Sequence, residues 1–103
     1  MKSRFHEAAA AELTEAVEYY DATAEGLGDR LLAEVNEAVR HIEQFPESAA
    51  VVDYNVRRKV LARFPYSILY IVQQRELVIL AIAHQSRRPN YWLDRLPPSK
   101  RVG

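Results

Sequence analysis

Apolar residues recur along the first half of the chain at steps of three and four, and in the second half the step shortens to two. Between residues 7 and 24, Ala9, Leu13, Ala16, Val17, Tyr20 and Ala24 fall on one helical stripe, as 3.6 residues per turn requires of a face that is buried. Glu12, Glu15, Glu18, Asp21 and Glu25 are assigned to the other, solvent side. Gly26 and Gly28 break the pattern, Asp29 is placed to cap a second helix, and Leu31, Val35, Ala38, Val39 and Ile42 form its stripe until Pro46 closes it. Two amphipathic helices joined by a short glycine-containing link predict an antiparallel hairpin with one shared apolar face. That face needs a sheet to cover.

The second half supplies the sheet. Over residues 56–64, Val56, Val60, Ala62 and Phe64 alternate with Arg57, Lys59 and Arg63, which predicts a strand with one apolar and one basic face, Arg58 falling with the apolar set. Pro65 and Tyr66 turn the chain into residues 67–72, and a polar turn at 73–76 leads into 77–83. Both stretches are nearly continuous aliphatic runs, as central strands are, and the short loops make the three an antiparallel meander. Residues 1–6 are read as a further short strand. Beyond His84 the chain passes through Ser86, Arg87, Arg88 and Pro89 to a short helix bearing Tyr91, Trp92 and Leu96, which Pro97 and Pro98 stop. The fold class expected is α+β, a helical hairpin packed on a twisted antiparallel sheet in the order β-α-α-β-β-β-α. Residues 1–96 form a single domain and 97–103 a polar tail.

Composition narrows the function. With 49% hydrophobic and 27% charged residues, 103 in all, the chain lies in the globular range and far from the disordered one. It has no cysteine, which excludes thiolate metal sites and thiol nucleophiles. No apolar run approaches the roughly 18 residues of a membrane span, and the start lacks the pattern of a secretion signal, so a cytoplasmic protein with no membrane partner is expected. The formal net charge of zero conceals a division. Residues 1–50 hold four Lys/Arg and eleven Asp/Glu, whereas residues 51–103 hold ten and three. An acidic side and a basic side follow, and the basic side suits phosphate or an acidic protein.

No glycine-rich phosphate loop, HExxH, GxSxG or EF-hand spacing is present, and no cofactor or metal is expected. The chemistry-bearing string is His84, Arg87, Arg88, Tyr91, Trp92 and Arg95, which follows the last strand and can converge with the basic strand face. Guanidinium groups hold phosphate or carboxylate charge, and an aromatic ring stacks on an unpaired base. His84 titrates near neutrality and could move a proton. As a bland alternative, His84 ends a buried strand as a structural residue, and Tyr91 and Trp92 anchor the last helix to the sheet. Arg57, Lys59 and Arg63 favour an anionic partner, since like charges on one strand face repel. His6 and His41 are assigned no role.

From Arg4 to Arg95 the sequence resembles the RelE/ParE superfamily of toxins, also known as the plasmid stabilisation protein family. The carrying features are Glu12-Leu13-Thr14-Glu15-Ala16-Val17-Glu18-Tyr19-Tyr20, Leu27-Gly28 and Ile42-Glu43-Gln44-Phe45-Pro46. To these add Phe64-Pro65-Tyr66 with Ile68 and Tyr70, and Ala83-His84-Gln85-Ser86-Arg87-Arg88-Pro89 with Tyr91-Trp92. The resemblance implies two helices on an antiparallel sheet and a cognate antitoxin that wraps and neutralises the toxin. It also implies a target, either DNA gyrase for the ParE-like branch or the ribosome and its mRNA for RelE-like endoribonucleases. For the latter, Arg58 matches one basic strand position and Tyr91 the C-terminal tyrosine. Val60, Ser67 and Gln85 stand where further basic residues belong.

Three readings therefore stand: growth inhibition by binding gyrase, a ribosome-dependent endoribonuclease, and a non-toxic basic binding module. On the ribonuclease reading His84 and Tyr91 are catalytic. On any reading Arg57, Arg58, Lys59, Arg63, Arg87, Arg88 and Trp92 are the residues expected to meet target or phosphate. An acidic amphipathic antitoxin segment is expected across the basic strand and the groove beside the last helix, and both a homodimer and a toxin-antitoxin hetero-oligomer remain open.

Overall fold

The helical hairpin forms where the steps of three and four lie. In a computed structural model, which describes residues 1–97, a strand β1 (Lys2–Phe5) leads into α1 (Glu7–Thr23) and α2 (Leu27–Gln44). His6 caps α1, its Nδ1 accepting from the Ala8 N–H at 3.0 Å. The second cap differs from the expected one. α2 begins at Leu27, ahead of Asp29, behind Gly26 in the left-handed region (φ 81), where a residue without Cβ is unstrained. Asp29 sits instead in the first turn, at the positive end of the helix dipole. Asp21 of α1 reaches across to accept from the Gly28 N–H at 2.8 Å. Gly28 is needed for closeness, since a Cβ there would stand 2.5 Å from the Val17 carbonyl oxygen.

Four more strands follow: β2 (Ala50–Val51), β3 (Arg57–Val60), β4 (Tyr66–Gln73) and β5 (Glu76–His84). They form one sheet in the order β1-β5-β4-β3-β2. β3, β4 and β5 are the expected antiparallel meander, with the unexpected two-residue β2 on its edge. β1 lies parallel to β5, because the helical hairpin serves as the crossover that parallel neighbours require. On one face Leu31, Val35 and Ile42 of α2 and Ala9 and Ala16 of α1 pack on Ile68, Tyr70, Leu77, Ile79 and Ile82. α2 ends against the sheet too, the Tyr70 hydroxyl donating to the Pro46 carbonyl at 2.8 Å.

The other face is also covered. Leu69 pairs with Ala81 but Tyr70 with Ile79, so Leu80 is an extra residue, a bulge, and Val78, Leu80 and Ala81 all belong to the second core. Trp92 and Leu96 lie over them with Val56, Leu69 and Ile71. The segment that carries them is a 3-10 turn, Leu93–Arg95, and not the expected α-helix. Only seven residues separate Pro89 from Pro97, and Asn90 takes a positive φ of 61°, which leaves no room for two α-turns. The tail expected from residue 97 lies, but for Pro97, outside the described residues.

The β3 strand departs furthest from its expected pattern. Arg57 and Lys59 pair with Tyr70 and Ile68 and so face the helices, whereas Arg58 and Val60 pair with Leu69 and Ser67 on the other face. Val60 is 61% exposed, and the chain beyond it, with Ala62 and Arg63, is loop. At this edge only the short β2 lies outside β3, so neither face is closed over, and long cationic stems can lie along apolar surface while their heads reach outward. Glu12 also departs. It is half-buried on the stripe flank beside Ala9 and Ala16, not on the solvent side.

Candidate functional site

β5 outruns β1, which ends at Phe5 opposite Ile79. Residues 80–84 are thus left with an edge that no strand pairs, and the C-terminal segment folds back along it. Glu12 of α1 answers the exposed edge, with Oε1 accepting from the Ile82 N–H at 3.0 Å. The same carboxylate takes the Arg95 guanidinium in a fork, Nη1 to Oε1 at 2.8 Å and Nη2 to Oε2 at 3.1 Å. It also takes the Tyr91 hydroxyl on Oε2 at 2.7 Å. Arg95 Nη1 further donates to the carbonyl of the bulged Leu80 at 2.9 Å. Bidentate Arg-carboxylate geometry is the strong form of the contact, and the side chains are only 13% and 17% exposed.

This cluster sets the electrostatics of the corner. Burial pushes the Tyr91 phenol well above its ordinary pKa, and the hydrogen bond and charge of Glu12 push the same way; Arg95 and Arg87 pull against them. For Arg95, burial works against the charge, but the hydrogen bond and charge of Glu12, with Tyr91, outweigh it and raise its pKa. The Tyr91 ring in turn supports cations. The Arg87 guanidinium carbon lies 4.0 Å from the ring centroid and that of Arg95 5.0 Å, within the range of a cation–π contact. Arg87, Arg88, Asn90, Tyr91, Asp94 and Arg95 line a cleft of about 660 Å³ with His6 and Ala8 at the start of α1.

The residues expected to act at a site divide among six places. Arg87, Arg88 and Tyr91 come together in the cleft, the two arginines exposed. His84 closes the turn that precedes them, its Nδ1 accepting from the Ser86 N–H at 3.0 Å with the Ser86 hydroxyl at 2.8 Å, and its ring stands edge-on to Tyr66 at 5.1 Å. Trp92 is 3% exposed in the second core. Lys59 and Arg63 line a different groove, about 960 Å³, between β3 and α2, where Glu34 and Glu37 face them. Arg58 is exposed on the sheet face away from the helices. Arg57 is committed to the backbone, donating to the carbonyls of Ala49 at 2.6 Å and Glu47 at 3.1 Å.

Sequence reasoning missed Glu12, Arg95 as its partner, and His6. A signal for Glu12 was present: it stands three residues after Ala9 and four before Ala16, and those spacings share a helix face. His6 carried the position that precedes an apolar-periodic run, where a side-chain acceptor caps a helix. Arg95 was named in the string after the last strand, but nothing in the sequence marked it as the partner of Glu12.

The family profile described as the ParE toxin of the type II toxin-antitoxin system parDE matches residues 4–89. Among solved structures, a chain of the chromosomal ParDE toxin-antitoxin system from P. aeruginosa is 24% identical in sequence and superposes with a TM-score of 0.60. The match covers 82% of this chain and 95% of that one. At that identity the likeness is one of fold. No curated protein matches the chain.

Proposed function

The chain belongs to the family of ParE toxins of type II toxin-antitoxin systems, and from that premise we propose that it arrests growth by binding DNA gyrase through the corner that presents Arg87 and Arg88. The observation that carries a binding reading is the commitment of Tyr91, the cleft residue that a ribonuclease would use for proton transfer. The Tyr91 hydroxyl donates to Glu12 with its acidity suppressed, and His84 stands outside the lining of the cleft, in the turn before it. A general acid or base needs a proton within reach of substrate and an affinity for it near the working pH. What the corner offers outward is charge on a fixed frame. Exposed arginines on such a frame are a binding surface. Trp92 serves this surface from below, by holding the segment against the sheet.

A cognate antitoxin neutralises the toxin on this reading, as an acidic amphipathic segment that orders along the β3–α2 groove and continues toward Arg87 and Arg88. Lys59 and Arg63, with Arg30 of α2, supply cations to that groove, and Phe64 and Tyr20 its aromatic wall. The deciding experiment is supercoiling by purified gyrase. The native chain is expected to inhibit it, and the Arg87→Glu/Arg88→Glu chain to leave it running. Intact supercoiling together with cut mRNA in arrested cells would overturn the proposal.

A further inference from the structure

An arginine on a surface is ordinarily a loose cation, with several rotatable bonds to order before it can meet a partner. Arg87 is exposed but rests on the Tyr91 ring at 4.0 Å. That ring is itself held at its far end, where the hydroxyl meets Glu12 Oε2 at 2.7 Å. Glu12 in turn is indexed to the sheet through the Ile82 N–H and to the 3-10 turn through Arg95. A chain of direct contacts thus runs from the backbone of β5 through Glu12 and Tyr91 to the Arg87 guanidinium.

We propose that Glu12 is the positioning residue of the cationic corner: by holding the Tyr91 hydroxyl it sets where Arg87 stands, and so the geometry in which the target is met. The functional half of this rests on the gyrase-binding reading; the geometric half does not. The fork to Arg95 and the bonds to Ile82 and Tyr91 are the geometry in which a largely buried ion pair can repay its desolvation, but apolar packing often stabilises as well, and it would give the Tyr91 hydroxyl no fixed acceptor. What four converging hydrogen bonds supply is a fixed direction. Ordering a cation before contact lowers what association must overcome, and here the ordering extends to a side chain that Glu12 does not touch.

The test uses the full chain and two arms. In the first, proton NMR follows the Arg87 side chain, whose resonances the Tyr91 ring shifts upfield. Glu12→Gln and Tyr91→Phe are expected to move them toward the values of an unstacked arginine; resonances left in place in both variants would overturn the proposal, whatever the target is. In the second, the concentration that inhibits purified gyrase is read in a cycle with Arg87→Ala. Glu12→Gln and Arg87→Ala should each raise it about tenfold, and the pair no more than either alone, the non-additivity expected of residues that act as one unit. Losses that multiply would mean that Glu12 acts on the fold at large. Full potency in Arg87→Ala would sink the gyrase reading at this residue and leave the NMR arm to decide the positioning. Should Glu12→Gln not fold, Tyr91→Phe carries both arms, since it removes one hydroxyl and keeps the bonds from Glu12 to Arg95 and Ile82.

Discussion

The Arg57 guanidinium donates to the Ala49 carbonyl at 2.6 Å and, through the same nitrogen, to that of Glu47 at 3.1 Å. It thereby ties β3 to the connection that leaves α2, whose carbonyls have no strand to pair with. A cation held in this way is structural. Arg57→Ala should lower stability by about 1–2 kcal/mol, a charged hydrogen bond discounted for partial exposure, and leave gyrase inhibition unchanged once the variant is folded. Urea unfolding at unchanged m-value reads the first expectation. A potency that falls while the urea midpoint stays put would return Arg57 to the binding surface.

Gly26, the N-cap of α2, and Gly28, in its first turn, lie two residues apart and are required for different reasons. At Gly26 the constraint is conformational: φ is 81°, and an added Cβ would meet nothing within 4 Å. At Gly28 it is steric, with Val17 and Asp21 both 2.5 Å from the place a Cβ would take. Gly28→Ala should therefore cost about 2–3 kcal/mol as the hairpin is forced apart, and Gly26→Ala about 1 kcal/mol for a left-handed residue. Thermal unfolding of the two variants ranks them. The reverse order would mean that the helices can separate freely at their junction.

How far the fold could be read from sequence depends on how local its causes are. Leu31, Val35 and Ile42 repeat at helical spacing and are all fully buried, and the runs of β4 and β5 became central strands, because periodicity reports a face directly. It fails where the partner is remote. Glu12 and Arg95 are 83 residues apart, and a carboxylate on a helix flank looks the same whether it meets solvent or a returning turn. Arg57 was legible as a strand residue, but the carbonyls it serves belong to a loop whose shape no pattern encodes. The basic and apolar faces assigned to residues 56–64 presuppose a strand covered on one side, and β3, with only the two-residue β2 outside it, is not. Of the candidate site, the cluster of Arg87, Arg88 and Tyr91 was legible because the three are neighbours in sequence. The frame that holds them was not.

Trp92 and the exposed arginines separate folding from binding. The indole is 3% exposed against Val56, Leu69 and Ile71, so Trp92→Ala should cost about 3–5 kcal/mol and remove growth arrest by removing folded protein. Arg87→Glu with Arg88→Glu, both at exposed positions, should leave stability within about 0.5 kcal/mol and remove arrest all the same. Soluble yield and melting temperature beside growth curves distinguish the cases. A stable Trp92→Ala chain that no longer arrests growth would place the indole at the target.

Burial first, then Glu12, holds the Tyr91 phenol above its ordinary 10.0. The folded chain therefore keeps a proton that the unfolded chain releases, and stability falls with rising pH wherever the folded state binds more protons. The contribution is whole below about pH 10, the unfolded value, and is lost as pH rises from there through the folded value. Tyr66 and Tyr70, also raised by burial, act with the same sign. Tyr91→Phe should thus lose stability less steeply with alkali than the native chain. Equal slopes in denaturation series would show that Tyr91 ionises as freely folded as unfolded.

His84 offers the sharpest separation of mechanisms, because its structural work can be kept while its acid-base capacity is removed. Its Nδ1 accepts from the Ser86 N–H two residues on, which leaves the proton of the neutral ring on Nε2. An asparagine oxygen can accept the same i to i+2 bond in an Asx turn, so His84→Asn should preserve the turn that leads to Arg87. A nuclease that loses a general acid or base slows by about 10²- to 10⁴-fold, whereas a binding surface that keeps its shape loses little. Induction of His84→Asn is expected to arrest growth at the same expression level as the native chain, with supercoiling inhibited and mRNA intact. Arrest that weakens by about a hundredfold or more, in step with the disappearance of mRNA cuts, would make the chain a ribonuclease and His84 its proton carrier.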